Sequence, residues 1–411
     1  MTLLIISPDY ASHLLPLATL GTAWRDRGER VVVATGPATA AIVESFGYER
    51  VNLQLGKGSN PGVIKAEDQP KGEDDALRGF FDATRRGMVE TLTFQAEARL
   101  SDLMWEPVRQ ARAVQQIIAD LRPDQIIVDH LAFSARVGLA AAGIEHADVV
   151  LGHPSALPVA GEVYGFPPSW PAAFDPAPAD LAALRELCER VSVSFTKEWN
   201  AALLELNPSA TPSESAFEEH GDLLMLNYPA ELSDRDAVFL GSAIREEPTD
   251  ADVEAWLAGD EPFVYVSFGS FLSVRDDVLQ SVADALRAVG VRAAIATGNS
   301  TVDAPEGWLV RPFLPQVRLL SEAAAAVTHG GNNSVTEAMH HRVPLLVLPF
   351  STDQFAGAAD LERAGFGVAL APNTATVDEL ADALRRVLEI EVTLEPTSGP
   401  DIAYASFSKT S

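Results

Sequence analysis

A short turn in the C-terminal third of the sequence carries residue types that can bind an anion. Residues 323–328 form an apolar run typical of a short buried strand, and His-Gly-Gly-Asn-Asn-Ser follows at 329–334. The two glycines let the backbone approach a ligand closely, and each of the next three residues can cap a helix that we predict over 334–341. Free N–H groups and the positive end of the helix dipole then face one point. The pattern predicts an anion site.

Other polar residues accompany this turn. Glu337 lies on the predicted helix, and Asp353 and Gln354 follow the next apolar run at 343–348. In a parallel α/β sheet the carboxyl ends of the strands meet at one edge, where ligands bind. The turn taken alone is equally compatible with a purely structural role. Together, these groups suit a ligand with a diphosphate, a ribose and a second polyhydroxylated group.

These residues resemble a known family. The segment Phe313-Leu-Pro-Gln316, the turn at 329–334, Glu337, Val343-Pro344 and Asp353-Gln354 have the order and spacing of the donor signature of family 1 glycosyltransferases with the GT-B fold. This family contains the UDP-glycosyltransferases of plants and of bacterial natural-product pathways. The resemblance implies that the C-terminal domain holds a sugar nucleotide.

His13 and Asp129 are the candidates for acid–base chemistry in the N-terminal half. His13 follows the apolar run 3–6, and Asp129 ends the run 126–128, so both are predicted at the carboxyl ends of strands. The resembling family has Gly-His-x-x-x-Pro at the first position, with the histidine as base, and Ser12 stands here in place of that glycine. Imidazole can deprotonate an acceptor hydroxyl, and an aspartate can orient it and stabilise the imidazolium.

Both residues also have a structural interpretation. A lone loop histidine is more often structural or solvated than catalytic, and Asp129 could cap the helix that follows it. His130, next to Asp129, is a weaker candidate for the base than His13.

Five positions are predicted to bind the diphosphate of the donor. Ser270 follows a strand in Ser-Phe-Gly-Ser and can give hydroxyl and backbone hydrogen bonds to a phosphate. Gly331 allows close backbone approach, and His329 with the N–H groups of Asn333 and Ser334 can neutralise the leaving group as charge develops.

The remaining donor positions are assigned to the nucleoside and the sugar. Glu337 can accept hydrogen bonds from two ribose hydroxyls, which favours UDP over dTDP because a 2′-deoxyribose leaves an acceptor unpaired. Phe313 stands where the plant family has a tryptophan that stacks on uracil. Gln316 is predicted to bond the base edge, and Asp353 and Gln354 the sugar hydroxyls.

Two similar sets of alternating strands and helices position these residues. Strand 3–6, helix 14–27 and strand 31–35 are a Rossmann-like opening without GxGxxG, which argues against dinucleotide redox chemistry. Strand 263–268 and helix 276–289 begin the second set. We therefore predict an α/β protein of GT-B architecture, with two Rossmann-like domains facing across a cleft.

The predicted domains are a 1–235 acceptor domain, a 236–262 linker, a 263–390 nucleotide-sugar domain and a 391–411 tail. Pro396, Gly399 and Pro400 should limit a last helix that family members run back to the N-terminal domain. Arg342 replaces the glycine that usually ends the helix before Val-Pro.

Two segments of the N-terminal domain are expected to face the acceptor. A loop at 56–72 and helical material at 73–121 form a long excursion where the fold needs only a crossover. Residues 154–178 are dense in proline, glycine and aromatics, which suits either a shaped loop over a pocket or a surface loop anchored to the core. A small hydrophobic aglycone, such as a polyketide, macrolide or aromatic natural product, is the expected acceptor.

Composition excludes several partners. The 411 residues carry a formal charge of −28, which argues against nucleic acid or an anionic membrane surface as partner. Cys188 is the only cysteine, and the first residues lack the basic flank of a signal peptide, so we expect a cytoplasmic protein without a stable membrane association. A homodimer is left open.

The sequence thus predicts an inverting glycosyltransferase that moves a sugar from a UDP-sugar to a hydroxyl of the acceptor. The donor is a co-substrate, and neither a cofactor nor a metal is expected; we attribute Asp234-Arg-Asp236, which mimics a metal motif of another fold, to chance in an acidic chain. Three alternatives stay open: a dTDP-deoxysugar transferase, a non-catalytic GT-B partner of another glycosyltransferase, and a sugar-nucleotide epimerase.

Overall fold

The computed structural model describes residues 1–62, 73–100, 103–159, 161–259, 261–269, 275–298 and 300–409. Ser270 and most of the predicted loop 56–72 lie outside these ranges. Within them, two parallel sheets covered by helices form two Rossmann-like domains that face each other across a cleft. The predicted α/β architecture is confirmed.

The N-terminal sheet contains seven described strands in the order β3-β2-β1-β4-β5-β6-β7, all parallel. They are β1 Thr2–Ile6, β2 Arg30–Thr35, β3 Glu49–Asn52, β4 Gln125–Asp129, β5 Ala147–Val150, β6 Leu223–Leu226 and β7 Val238–Phe239. The central strands β1 and β4 are mostly apolar on both faces and buried beyond their first residues, because helices cover both sides of a parallel sheet. The strand order reverses between β1 and β4, which opens a crevice at their carboxyl ends.

The C-terminal sheet has six described strands in the order β10-β9-β8-β11-β12-β13, again all parallel. They are β8 Phe263–Ser267, β9 Arg292–Ala296, β10 Leu309–Arg311, β11 Ala325–Thr328, β12 Leu345–Val347 and β13 Gly367–Ala369. Here the order reverses between β8 and β11, so the second crevice lies at the turn predicted as an anion site.

Most helices of the described chain cover these sheets, and three of them lie in the segment 73–121. They are α1 Ala11–Arg25, α2 Ala40–Ser45, α3 Glu73–Arg86, α4 Met88–Arg99, α5 Pro107–Leu121, α6 Phe133–Ala142, α7 Pro178–Leu206, α8 Ala251–Leu257, α9 Asp276–Val289, α10 Gln316–Leu320, α11 Asn332–His340, α12 Gln354–Ala364, α13 Val377–Val387 and α14 Gly399–Lys409. The predicted helical excursion is thus divided into α3, α4 and α5.

The C-terminal tail differs from its prediction, because residues 399–409 form the helix that proline and glycine were expected to limit. Pro400 stands in the first turn of α14, where a backbone N–H is not needed and the fixed φ suits a helix. Rings of Tyr404 and Phe407 lie 5.1 and 5.8 Å from the ring of Trp24 on α1. The tail therefore returns to the N-terminal domain and packs on its outer face.

Further boundaries differ from the predictions. Helix α1 begins at Ala11 and not at residue 14, so His13 lies in its first turn and not in a loop. β7 pairs with β6, so the N-terminal sheet extends to Phe239, beyond the predicted limit at 235. Helix α11 begins at Asn332, two residues earlier than predicted, with Gly331 as its N-cap. Arg342 adopts φ 58 after that helix, so an arginine takes the left-handed conformation that glycine usually supplies, and its guanidinium donates to the Leu394 carbonyl at 2.7 Å.

No helix among the described residues is long and apolar enough to cross a membrane.

Candidate active site

A cavity of about 570 Å³ lies between the two domains, at the carboxyl ends of both sheets. His13 and His130 contribute to its wall from the N-terminal domain, and His329, Asn333 and Glu337 from the C-terminal domain. The loops that form it follow β1, β4 and β11, because the reversal of strand order leaves these strand ends uncovered. The cavity brings together most of the residues that were predicted to do chemistry.

His13 and Asp129 form a hydrogen-bonded pair at the N-terminal crevice. Nδ1 of His13 lies 2.7 Å from Oδ2 of Asp129. A carboxylate only accepts hydrogen bonds, so Nδ1 carries the proton and Nε2 remains the basic nitrogen. Asp129 is fully buried at the end of β4 and accepts a second bond from the Leu131 amide at 2.8 Å, whereas the His13 side chain is 20% exposed. The pair has the arrangement predicted for a base and its orienting carboxylate.

The charges around the pair favour a protonatable imidazole. Burial acts to lower the pKa of His13, but the charge and hydrogen bond of Asp129, helped by the charge of Asp353, raise it above 6.5. Burial likewise opposes ionisation of Asp129, and the facing histidines His13 and His130 lower its pKa well below the ordinary value. Asp129 therefore stays ionised and stabilises the imidazolium that forms when His13 takes a proton.

His130 also approaches Asp129 but is more deeply buried. Its Nδ1 lies 3.3 Å from Oδ1 of Asp129 and 3.3 Å from the Leu151 amide nitrogen. The His13 and His130 rings stack with their centroids 6.1 Å apart. His130 is thus tied to the backbone of the loop after β5, which makes it a poorer candidate for the base than His13.

Two glycines in the C-terminal crevice make room for the His329 ring. A Cβ on Gly269 would lie 2.9 Å from Cε1 of His329, and a Cβ on Gly331 would overlap Nε2 of the same ring. Only residues without a side chain fit at both positions. The glycine turn was predicted to admit a ligand, and the structure adds that it first admits this imidazole, which then faces the start of α11.

His329 is held as a neutral imidazole at physiological pH. Burial lowers its pKa to about 4, although the charge of Asp353 and a hydrogen bond with the Ser267 backbone act in the opposite direction. A neutral ring contributes a hydrogen-bond donor to a diphosphate rather than a full charge. The positive potential predicted here must come instead from the first-turn amides of α11, which have no partner within the helix.

A direct contact joins the two crevices. Nδ2 of Asn333 donates to the carbonyl of Ser12 at 2.8 Å. That carbonyl is available because Pro16, four residues later in α1, has no N–H to bond it. The predicted phosphate residue Asn333 thus lines the cavity and uses its side chain to hold the first turn of α1, which carries His13. Ser334 lines the same cavity.

Glu337 is 3% exposed and has protein partners on both oxygens. Oε1 forms an ion pair with Nη1 of Arg245, and Oε2 accepts from Nε2 of Gln316 at 2.6 Å. Gln316 in turn accepts from the Tyr265 hydroxyl at 3.3 Å. Burial raises the pKa of Glu337, while the charge of Arg245 favours its ionised form. All three of Arg245, Gln316 and Glu337 line the cavity.

Asp353 and Gln354 line the cavity but already hold the backbone around it. Oδ2 of Asp353 accepts from the His153 amide of the N-terminal domain at 2.6 Å. Oε1 of Gln354 accepts from the amides of Phe350 and Ser351 at 3.0 and 3.1 Å. The residue before Asp353, Thr352, has φ 50, a conformation that non-glycine residues rarely adopt and that often marks a functional loop. The predicted contact of Asp353 and Gln354 with sugar hydroxyls stays a prediction.

Phe313 lies apart from the main cavity. Its side chain is 66% exposed and lines a separate surface groove with residues 247–252. Glu247 belongs to that groove, Arg245 belongs to the cavity, and their side chains are 2.6 Å apart, so the two depressions adjoin at this pair. The predicted stacking of Phe313 on a base would require the nucleoside to extend from the cavity into the groove.

The N-terminal domain contributes several apolar side chains to the cavity. Tyr164 and Phe166 from the 154–178 loop and Phe80 from α3 contribute to its wall, and the predicted contact of these two segments with an acceptor stays a prediction. Trp170 and Phe174 of the same loop instead pack against the hydrophobic core, so the loop combines the two roles that the sequence left open. Gln95 and Arg99 of α4 add polar groups to this wall.

The Asp234-Arg-Asp236 motif anchors a loop through its arginine. Arg235 forms an ion pair with Glu162 and donates to the Leu157 carbonyl at 3.1 Å, which holds the 154–178 loop. In the described ranges no group of three or more His, Cys, Asp or Glu side chains is arranged to hold a metal ion. Metal independence remains a prediction about the reaction.

Arg245 is the site residue that the sequence did not reveal. It begins the acidic segment 245–261, which was interpreted only as a linker, and it reaches Glu337 across 92 positions of sequence. A basic residue in an otherwise acidic crossing between domains was the available signal. Its partner could not be identified because the pairing depends on how the domains dock.

The C-terminal half of the chain matches a known sequence family. Residues 211–395 fit the profile of the family described as UDP-glucoronosyl and UDP-glucosyl transferase. The match includes β8 through β13 and therefore the whole C-terminal crevice, from the Gly269 turn to Gln354.

Individual relatives are similar over the same kind of span. The chain is 31% identical over 160 residues to an uncharacterized UDP-glucosyltransferase, YdhE, of Bacillus subtilis, covering 37% of this chain and 40% of that protein. It is 33% identical over 171 residues to the glycosyltransferase GtfC of Amycolatopsis orientalis, covering 40% and 42%. These matches span about two fifths of the relatives' own length.

Solved structures share the fold over the whole chain. The spinosyn forosaminyltransferase SpnP superposes with a TM-score of 0.67 at 19% identity, covering 100% of both chains. The glycosyltransferase VinC, solved in complex with dTDP, gives 0.63 at 18% identity, covering 98% of this chain and 94% of the other. The fold and the crevice define a GT-B protein. Residues 211–395 carry the sequence of that transferase family, and the chain as a whole has the GT-B fold.

Proposed function

We propose that this chain transfers a sugar from a nucleoside diphosphate sugar to a hydroxyl of a small hydrophobic molecule, with inversion at the anomeric carbon. The observation that carries the proposal is that the His13–Asp129 pair of one domain and the start of α11 of the other meet at one cavity. A base and an anion site that share a cavity can act on the two ends of one displacement.

His13 is proposed as the base of this displacement. Nε2 removes the proton of the acceptor hydroxyl while the hydroxyl oxygen forms a bond to the anomeric carbon. The bond from that carbon to the phosphate oxygen breaks, and the nucleoside diphosphate leaves with both electrons. One attack on the side opposite the leaving group inverts the configuration, so an α-linked donor gives a β-linked product. Asp129 stabilises the imidazolium that results.

The C-terminal wall is proposed to stabilise the leaving group. Amides of Asn333 and Ser334 at the start of α11, and the neutral His329 ring, are hydrogen-bond donors that face the same region. Fixed donors aimed at developing charge lower the barrier without reorganising during the reaction. Ser270 keeps its predicted phosphate role, and its position lies outside the described residues. These donors support a reaction without a metal ion, which can be tested by assaying activity with excess chelator.

The acceptor is proposed to be an aglycone such as a polyketide, macrolide or aromatic natural product. Tyr164, Phe166 and Phe80 give its end of the cavity an apolar surface. Several solved relatives are named for such compounds: SpnP and SpnG for spinosyn, and CalG4 for calicheamicin. We place the reaction in the cytoplasm, where the single, buried Cys188 would stay reduced.

A UDP-sugar is proposed as the donor, with a dTDP-sugar as the second candidate. Similarity to proteins named as UDP-glucosyltransferases supports the first. The second is favoured by the pairing of Glu337 with Arg245, since a carboxylate that already has partners depends less on a ribose 2′-hydroxyl. Two solved neighbours, VinC and SpnG, contain thymidine diphosphate.

The proposal is tested by incubating the protein with UDP-glucose or dTDP-glucose and a panel of aromatic and macrolide acceptors. We expect a β-linked glycoside, and we expect His13→Ala to lose at least about 10²-fold in kcat. Nucleotide binding without any product would favour a non-catalytic partner, and release of free sugar or an epimer without acceptor would favour the epimerase. An α-linked product would overturn inversion.

A further inference from the structure

Arg245 lies between two carboxylates at the point where the linker enters the cleft. Its Nη1 pairs with Oε1 of Glu337, and its Nη2 lies 2.6 Å from Oε1 of Glu247. Glu247 is itself fixed, because its Oε2 accepts from the Arg318 amide at 3.1 Å. The guanidinium is therefore held from both sides, and little freedom is lost when it faces a ligand.

Glu337 is consequently satisfied by the protein itself. Gln316 supplies a donor to Oε2 and Arg245 to Oε1. A buried carboxylate oxygen that accepts no hydrogen bond carries the full free-energy cost of its desolvation. An oxygen that already accepts a hydrogen bond from the protein forgoes only the smaller net contribution of a second bond when the ligand lacks a hydroxyl. The cost of a ligand that lacks one hydroxyl therefore depends on whether Arg245 and Gln316 are present.

We propose that Arg245, together with Gln316, makes the nucleotide site tolerant of a missing ribose 2′-hydroxyl, so that ribo- and 2′-deoxyribonucleoside diphosphate sugars are both accepted. Arg245 is then a specificity-determining residue. It relaxes the preference that Glu337 alone would impose. The inference rests on the proposed function, in that Glu337 must face the ribose of a bound nucleotide.

UDP and dUDP are the probes, because they differ only in the 2′-hydroxyl and leave the base and the diphosphate unchanged. Calorimetric titration of the wild type should give dissociation constants within about tenfold of each other. Arg245→Met should raise the preference for UDP by a further factor of about ten, which corresponds to ~1.4 kcal/mol. Arg245→Lys should stay close to the wild type, because an ammonium can still donate to Glu337.

Gln316→Ala provides an independent variant, since it removes the donor to the other oxygen of Glu337 and should also raise the preference for UDP. Arg287→Met is the matched control: this arginine is paired with Asp284 on α9 and does not line the cavity, so the ratio should not change. Should Arg245→Met be too unstable to titrate, Gln316→Ala and Arg245→Lys still decide the matter.

Two outcomes would overturn this inference and leave the proposed function intact. One is a wild-type preference for UDP above about 100-fold, which would mean that the pairing of Glu337 does not relieve the missing hydroxyl. The other is a loss of affinity in Arg245→Met that is equal for UDP and dUDP, which would assign Arg245 to the diphosphate. Failure of both nucleotides to bind the wild type would instead overturn the proposed function and, with it, this inference.

Discussion

His13 and Asp129 are separated by 116 positions, yet their side chains lie 2.7 Å apart because β1 and β4 are neighbours in the sheet. Each residue follows or ends a strand at the place where the strand order reverses. The chemistry of the pair is set by this placement: burial makes the charge of Asp129 effective on His13, and the exposed edge of the imidazole faces the cavity.

The expected pH dependence of sugar transfer follows from the raised pKa of His13. Burial lowers its pKa, but Asp129 raises it above 6.5 overall, and only the neutral imidazole can accept a proton. We expect kcat/KM to fall as pH drops below this raised pKa and to level off above it. Asp129→Asn removes the raising charge, so the acidic limb should move to lower pH while kcat drops by roughly 10²–10⁴-fold.

The measurement is a pH profile of kcat/KM for wild type and variant. His130→Gln serves as the control, because it alters the second neighbour of Asp129 but leaves the His13 contact in place. The acidic limb of its kcat/KM profile should stay near the wild-type pH. An acidic limb that does not move in Asp129→Asn would show that another group is the base.

At the residue scale, the sequence indicated the His13–Asp129 pair but not the contacts that form between the two domains. His13, Asp129, His329 and Glu337 were predicted from position and residue type, and the structure brings all four to the cleft. Arg245 was not, because its contact with Glu337 depends on the docking of two domains. The pairing of Asp353 with the His153 amide was missed for the same reason.

Among the elements, the start of α11 depends on a space that two glycines leave for one histidine. Gly331 has φ −61, so its backbone conformation suits any residue, and the constraint is the contact with His329 alone. The turn can therefore be perturbed by adding a single methyl group without straining the backbone.

Gly331→Ala is expected to displace the His329 ring and weaken nucleotide binding by at least about tenfold, with little loss of folded protein. The physical reason is that a Cβ at this position overlaps Nε2 of His329. Calorimetric titration with UDP measures the effect. Gly56→Ala is the matched control, since a Cβ there would meet only the Tyr10 hydroxyl at 3.9 Å. Unchanged affinity in Gly331→Ala would mean that the ring position does not matter for the donor.

Helix α14 is expected to stabilise the N-terminal domain, because Tyr404 and Phe407 cover the buried ring of Trp24. Replacing both by alanine should lower the free energy of unfolding by about 2–4 kcal/mol. Urea unfolding followed by tryptophan fluorescence measures this loss. Ala405→Ser, at an exposed position of the same helix, should change stability by less than about 0.5 kcal/mol.

Elements were predictable where an apolar run left only one interpretation. The strands β1, β2, β4, β8, β11 and β12 coincide with such runs to within a few residues, because a buried parallel strand is apolar on both faces. The strand β3, Glu49–Asn52, is polar and partly exposed at the sheet edge, and no apolar run predicted it. Helix ends were less predictable: α1 begins at Ala11 although Pro16 lies inside it, and α14 forms although Pro400 opens it. In both cases the context of the proline, and not its presence, decides whether a helix tolerates it.

For the molecule as a whole, the two domains are joined by buried polar contacts as well as by the chain. Oδ2 of Asp360 on α12 accepts from Nε2 of His153 and from the Tyr228 hydroxyl, each at 2.9 Å. Thr352 and Asn333 make further contacts with Gln95 and Ser12. The docking of the domains is therefore specific, and the cavity between them has a defined shape.

Asp360→Ala is expected to weaken this docking. It leaves the His153 and Tyr228 donors buried without a partner, which should cost about 2–4 kcal/mol in the free energy of unfolding. Denaturant unfolding should separate into two transitions as the domains lose their coupling. Asp382→Ala, which removes an exposed pair with Arg385, should change little. A single transition of wild-type stability would show that the domains are held together elsewhere.

The chain crosses between the domains twice, near residues 240–242 and near residues 397–399, and the two crossings lie side by side. Oγ1 of Thr397 donates to the Leu240 carbonyl at 3.1 Å, and a Cβ on Gly399 would lie only 2.5 Å from the Ser242 carbonyl oxygen. Two covalent connections along one line act as a hinge: they permit rotation about that line and resist sliding or twisting. We therefore expect substrates to enter by a rigid swing of one domain, which would separate the first turn of α1, with His13, from α11 and reunite base and anion site on closing.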